Sequence, residues 1–373
     1  MNRRWICNDV WMDIFPSFNR PQLGLKLALI SPRFNALVDK HFNGKSEFTI
    51  WRQIKTSHTD SGTKPKLSVG FDDNFVEFPL PDRPLPSKIR FKYLRIDYID
   101  HSVIAFLRLN QQLFNKRNTN LKLIWFPSPH TTDDQQLIWE IFVREIWPIF
   151  SANIRHLGFI DGDHMDNLLR LISPTILTDL NQLVSIHSSS LLPAAIGDDF
   201  GGPNATISAG QALSKWLHSP RKDGQPKRLR CRDYNKQANL DWVNNFKEHF
   251  LRANAISSVS YEIRFTVYAP SMQMVPFELF NERTQEKLTL TKANENELHR
   301  YKRWIMKRCK IIGETAAVHW EYENWDNNCN NLSIWLFSDT NCIGPLSPPP
   351  EEVEEEEDKA GQSITKGASS VDN

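Results

Sequence analysis

The chain has 373 residues, 40% of them hydrophobic and 24% charged, a globular composition that excludes both wholesale disorder and a fibrous repeat. With 12 Trp and 22 Phe there is ample material for cores spread over two or three domains. Lys and Arg number 45 against 44 Asp and Glu, and this net charge of +1 argues against a general polyanion binder. The balance hides an asymmetry: residues 344–373 hold eight acids and two lysines, which leaves a body with 43 basic and 36 acidic residues.

Cys7, Cys231, Cys309, Cys329 and Cys342 are odd in number, widely scattered and free of any CxxC pair. That pattern suits neither a disulfide framework nor a zinc module, and is expected of free thiols in a reducing compartment. Asn8, Asp9 and Asp13 interrupt the N-terminal stretch, so it lacks the apolar run of a secretory leader. No segment approaches the ~18 apolar residues of a spanning helix. The expectation is an intracellular protein, cytoplasmic or nuclear, with no membrane contact.

In chain order, residues 6–42 read as three short helices. Val10, Ile14 and Phe18 recur at helical spacing behind Asn8 or Asp9 as cap, with Trp11 and Phe15 beside them. Leu23, Leu27 and Ile30 mark a second helix, and Ser31-Pro32 restarts the chain as N-cap and first helical residue. A unit this small cannot hide Trp11, Phe15, Leu25 and Leu29 together and calls for a partner. Residues 46–88, rich in Pro and polar turn residues, read as a connector with short edge-like strands at best.

From 89 to 268 short β-rich stations recur. Anchored on Leu94, Leu123, Leu157, Val184, Leu229 and Ile263, they are spaced by 29, 34, 27, 45 and 34 residues, with helical patterns between. A strand-plus-helix unit every ~30 residues is the mark of a β/α solenoid, here without the asparagine-ladder consensus of regular leucine-rich repeats. The longest spacing contains an expected exposed loop at 197–204. Residues 275–292 alternate like a β-hairpin with its turn at Asn281–Gln285, 294–310 read as a helix, and 331–337 as a closing strand. The Pro-rich, acidic tail at 344–373 is expected to be disordered.

No phosphate loop, HExxH or GxSxG motif is present. Asp161–Asp166 resembles an ion loop, but Ile172 occupies the position where calcium chelation needs Glu, so a strand-to-helix turn with Asp163 near its cap is the plainer reading. Cys231 lies between arginines that would activate a thiol, yet it also fits a repeat strand. Neither a catalytic residue, a metal site nor a cofactor is expected. Two basic clusters, at 215–236 and 300–310, are interleaved with Trp216, Tyr234, Tyr301 and Trp304. They suit nucleic acid or an acidic peptide, or are the solvated edge of a repeat. The acidic tail is a solubilising end, or folds back on these clusters as a competitor.

The stretch ICNDVWMDIFPSF followed by LGLKLALISPRFNALV resembles the F-box. Ile6, Asp9, Val10, Ile14 and Phe15 match the first half of that pattern, and Leu25, Leu27, Leu29, Ile30 and Phe34 the second. Cys7 replaces the usual Pro, Ser31 and Phe34 replace the usual Cys and Trp, and Pro32 falls inside the second half. Downstream, VPFELFNERTQEKLTLTK and NLSIWLF are similar to the C-terminal region of expanded nematode-type F-box families. The resemblance implies an α+β protein: an F-box at 4–45, a connector at 46–88, and a degenerate leucine-rich-repeat-like β/α solenoid at 89–268. A hairpin-and-helix cap at 269–343 and the tail would complete it. It implies a non-catalytic substrate-recognition subunit of a Skp–cullin–F-box ubiquitin ligase. Ile6, Val10, Ile14, Phe15, Leu25, Leu29, Ile30 and Phe34 would contact the Skp-type adaptor and, through it, the cullin–RING ligase. Arg228, Arg230, Arg232, Arg303 and Arg308 are the candidates for gripping a protein target, acidic or phosphorylated. A nucleic-acid-binding protein using the two basic clusters is the alternative.

Overall fold

The computed structural model describes residues 6–18, 22–42, 48–57, 65–71, 74–86, 89–115, 118–126, 132–158, 162–188, 191–194, 207–232, 236–254, 259–268, 274–293, 301–311, 330–337, 343–344 and 346. The loop expected at 197–204, Cys329, Cys342 and the acidic run lie outside them.

Three helical pieces open the chain: Asn8–Ile14, running into the turn Phe15–Ser17; the π-helical Leu23–Leu27, continued by Ala28–Ile30; and Pro32–Phe42. Ser31 is extended and its Oγ accepts from the Phe34 amide at 3.3 Å, so Ser-Pro restarts the helix as its chemistry requires.

Among the described residues, the rest builds one mixed sheet of 13 strands, in the order β10-β11-β12-β9-β8-β7-β6-β5-β13-β4-β1-β2-β3. Six strands carry the repeating stations: β4 (Ile89–Ile96), β5 (Thr119–Phe126), β6 (Ile154–Gly158), β7 (Ser185–Ser188), β8 (Lys227–Arg232) and β9 (Tyr261–Tyr268). From β5 to β9 each strand pairs in parallel with the next in sequence, as helical crossovers demand. Capped helices lie between these strands, His101–Leu109 between β4 and β5 and Ala209–His218 between β7 and β8. Asp100 accepts from the Val103 amide at 2.8 Å to start His101–Leu109, and Ser208 with Gln211 forms a capping box on Ala209–His218.

Four expectations need correction. Residues 46–88 are not a separate connector: β1 (Phe48–Ser57), β2 (Lys66–Phe71) and β3 (Asn74–Pro79) extend the sheet, with β1 parallel to β4. The helix expected at 294–310 is, over Tyr301–Lys310, strand β12, paired with β9 and with β11 (Glu286–Lys292). Trp304, Met306 and Arg308 are buried there and alternate with half-buried Arg303, Ile305 and Lys307, which is a period of two. A charged residue inside the apolar series concealed that period. The hairpin of β10 (Phe277–Asn281) and β11 turns where expected, with Gln285 at φ 55. It continues the same sheet rather than capping it. The closing strand β13 (Asn330–Phe337) enters the middle, parallel to both β4 and β5.

One apolar core runs from Phe15 to Ile334 between the sheet and its crossover helices. Trp242 packs edge-on against Phe265 at 5.3 Å, and Phe114 against Phe150 at 4.9 Å. Leu94, Leu121, Leu157, Ile186, Leu229, Ile263, Leu332 and Met306 all turn toward this layer and are at most 2% exposed.

Candidate binding surfaces

In the helical unit, Phe15 and Leu25 are buried, so they build the unit rather than an open contact face, which corrects their expected role. Phe15 packs against His41 at 5.7 Å and Trp11 against Phe34 at 4.9 Å. Ile14, Leu29 and Phe34 are half-buried. Ile6, Val10 and Ile30 remain 47%, 44% and 58% exposed. Arg33 ties the start of the first helix to the third: its guanidinium donates to the Ile6 carbonyl at 2.7 Å and to Asn8 Oδ1 at 2.7 Å. Another side of the unit faces β3, where Lys26 Nζ lies 5.2 Å from the ring centre of buried Phe78.

The basic clusters divide between the two faces of the sheet. Arg308, expected to grip a target, faces inward at 4% exposure and bonds to Glu286, which is fully buried. It cannot meet a partner. Lys227 also faces inward: its ammonium donates to the Trp216 carbonyl, to the Ser219 carbonyl at 2.5 Å and to Ser219 Oγ at 2.8 Å. It therefore satisfies the last carbonyls of helix 209–218. Burial, with Arg221 nearby, lowers its pKa to about 8.

Arg228 and Arg230 point the opposite way, flanking buried Leu229 on β8. Thr266 of β9 is in register with both Arg232 and Arg303, so these two positions share one cross-strand row. On this face the register also aligns Lys122, Gly158, His187 and Arg230 across β5 to β8. Arg264 continues the row on β9 and pairs with Glu262 at 2.6 Å, and Lys307 on β12 approaches the same carboxylate at 3.3 Å. Lys122, Gly158 and His187 were missed in the sequence. The signal available for Lys122 and Gly158 was their position beside the anchors Leu123 and Leu157; on β7 the in-register apolar residue is Ile186 rather than the anchor Val184.

One row below lie Asn331, Asn120, His156, Ser185 and Arg228. The Asn120 amide donates to Asn331 Oδ1 at 2.8 Å, so one asparagine rung bridges β5 and β13 although no consensus ladder is present. His156 is 4% exposed, and burial followed by the charges of Arg155, Arg228 and Arg221 lowers its pKa to about 3. His218, bonded to the Ser214 carbonyl, is lowered to about 3 mainly by burial, with Arg308, His249 and Lys227 adding to it. An unfolded histidine titrates near 6.5. Both are thus neutral when folded, and the stability they contribute is full above pH ~6.5 and lost as pH falls toward 3. Between pH 7 and pH 5 each should cost about 2 kcal/mol of unfolding free energy. Denaturant titrations at the two pH values should show this, and His156→Gln should remove about half of the pH dependence.

His218 and His249 line, with Phe246, Phe250, Tyr261 and Arg308, a cavity of about 10 Å³, room for a single water. Among the described residues, no cluster of three or more His, Cys, Asp or Glu side chains is placed to hold a metal ion. Gly162 and Asp163 open the helix Gly162–Leu171, so the turn read at 161–166 is a helix start, with Asp163 in its first turn rather than at the cap. Cys231 is buried toward the helices, burial raises the pKa of Cys309, and Cys7 is exposed. None of the described helices is long and apolar enough to cross a membrane.

Comparison with family models, with curated proteins and with solved structures finds no match to this chain.

Proposed function

We propose that this chain is the substrate-recognition subunit of a Skp–cullin–F-box ubiquitin ligase, with residues 6–42 acting as its F-box. The observation that carries the reading is the exposure of Ile6, Val10 and Ile30 on a three-helix unit whose own core is already filled by Phe15, Leu25 and Val38. Apolar side chains left exposed on a small helical unit fit an adaptor contact. The downstream strand–helix series is read as a degenerate leucine-rich-repeat-like array that holds the target. The chain would act by tethering, raising the effective concentration of a target lysine near the ubiquitin carrier, with no chemistry of its own. Free thiols at Cys7, Cys231 and Cys309 suit an intracellular setting. The nucleic-acid alternative loses ground because Lys227 and Arg308 are turned inward and taken from its clusters.

Truncating interface anchors typically costs on the order of 2–4 kcal/mol. An Ile6→Ala, Val10→Ala, Ile30→Ala variant, altering exposed positions only, should lose adaptor capture by about thirtyfold or more at unchanged melting temperature. Full capture by the folded variant would reject the reading.

A further inference from the structure

Strand β10 ends the sheet, and among the described residues only β11 pairs with it. Its outer edge presents backbone amides and carbonyls to no further strand. The apolar rows of the sheet run on into this edge. Phe277 lies across from Leu290 and Met306, and Leu279 from Leu288; the three inner side chains are fully buried, whereas Phe277 and Leu279 are half-buried. The helix Lys236–Arg252 lies along the same side. Asn281 donates to the Phe250 and Ala253 carbonyls at 2.6 and 2.9 Å, and Lys247 Nζ sits 4.1 Å from the ring centre of Phe277. Helix and strand therefore run the same way. Leu251, one turn after Lys247 on the same side, is 51% exposed, and Val275, just ahead of the strand, is 69% exposed. A helical turn advances about 6 Å and two strand residues about 7 Å, so Lys247 and Leu251 keep step with Phe277 and Leu279. These side chains wall an apolar slot between the last strand and its helix. The opposite edge differs: Phe78 on β3 is 2% exposed, with Lys26 of the helical unit over its ring.

We propose that this slot takes an extended segment of the target protein, added to β10 as one further strand, antiparallel, with aliphatic side chains at alternate positions toward Phe277, Leu279 and Leu251. The proposal rests on the reading of the sheet as the target-holding half, and it puts the target at the edge away from the helical unit. Strands β9, β12, β11 and β10 pair antiparallel in turn, so the added strand continues the local pattern. Main-chain hydrogen bonds give affinity, and the alternate side chains give selectivity. The one charge on β10, Glu278, is neutralised by Lys287 at 2.6 Å and does not guard the edge. In the antiparallel direction the segment's C-terminal residues reach Phe277. A glutamate there meets Lys247, whose ammonium rests on the ring and pairs with no carboxylate among the described residues.

The test uses the full chain and a fluorescent peptide of about nine residues, with Val at alternate positions and Glu near its C-terminus. One control has the same composition with the valines adjacent, and the other has every amide N-methylated. The alternating peptide should bind about tenfold or more tighter than either control, and should slow hydrogen exchange of the 277–281 amides. A Leu251→Asp, Val275→Asp variant, altered at exposed positions only, should lose about tenfold or more at unchanged melting temperature. Adaptor capture by that variant should stay intact, so failure here and failure of the reading of residues 6–42 are told apart. Controls that bind equally well, a folded variant that keeps its affinity, or unchanged exchange at 277–281 would each overturn the proposal. Self-association of the chain through β10 that excludes the peptide would overturn it too, making a second copy the occupant.

Discussion

A Leu332→Ala, Ile334→Ala variant should fail to reach a stable fold at 25 °C, although both residues lie within 42 positions of the C-terminus. The two side chains are 2% and 0% exposed and sit in the middle of the sheet. Strand β13 is in register with β4 through Ile334 and with β5 along its whole length, so it closes a gap that no other strand fills. Large-to-small changes in such cores cost roughly 2–5 kcal/mol each. Two of them consume most of the 5–15 kcal/mol that typically separates a domain from its unfolded state. The loss is compounded by location, because a loosened β13 exposes the facing edges of β4 and β5 and strands the buried amides of Asn120 and Asn331. Circular dichroism melting and denaturant titration would measure it. A control pair at the two edges of the sheet, Val76→Ala on β3 with Phe280→Ala on β10, involves side chains 55% and 53% exposed and should shift the midpoint little. If both pairs behaved alike, β13 would not be a core strand in solution.

The position of β13 also marks where sequence reading stops. Its existence was legible, since an apolar run with polar punctuation reads as a strand in isolation. Its partners were not. Strand order is decided by which edges remain open after the local crossovers have formed, and that information is spread over β4 and β5, more than 200 residues away. The repeating stations fared better because each is a local unit. An apolar anchor, a polar neighbour on either side and a capped helix to follow fix one strand and its crossover from ~30 residues. All six stations contain strands, although the anchor Val184 falls just ahead of β7, and β5 to β9 lie side by side in sequential order. In the helical unit the apolar positions were readable and the exposed subset was not. Phe15 and Ile6 belong to the same apolar series, and only the packing of His41 and Trp11 on Phe15 separates the buried one from the exposed.

Charge misled in one direction. A run of six Lys and Arg between 300 and 310 read as a solvated helix or a ligand-gripping cluster, whereas alternation along β12 sends every second residue inward. Composition reports how many charges a segment holds but not which face each takes. On β8 the same effect works the other way. Buried Leu229 and Cys231 fix the pleat, and Arg228 and Arg230 necessarily project to the free face. The alternation was visible in RLRCR, and reading it as a pleat would have separated Lys227 from the arginines.

Arg308 provides the second large effect. Its guanidinium donates from Nε at 3.2 Å and from Nη2 at 2.5 Å to one oxygen of Glu286, across the β11–β12 pairing, and lies 5.5 Å from the ring centre of Phe250. Both groups are withdrawn from water, so each depends on the other to offset its lost hydration. The Glu286 carboxylate and the buried Tyr261 side chain hold the arginine more firmly charged against the opposing effect of burial. Removing one partner leaves an uncompensated charge in the core, which typically costs 3–5 kcal/mol. Arg308→Leu and Glu286→Leu should each therefore destabilise by about that amount. The double replacement should recover most of the loss, because a well-packed apolar pair of similar volume is often neutral. This pattern distinguishes a structural pair from a ligand-binding arginine. A target-gripping Arg308 would weaken partner capture with little change in melting, and Glu286→Leu would not rescue it. Four denaturation curves, for the parent chain, the two single variants and the double variant, give the coupling energy directly. A coupling near zero would return Arg308 to the surface and reopen it as a contact for a partner.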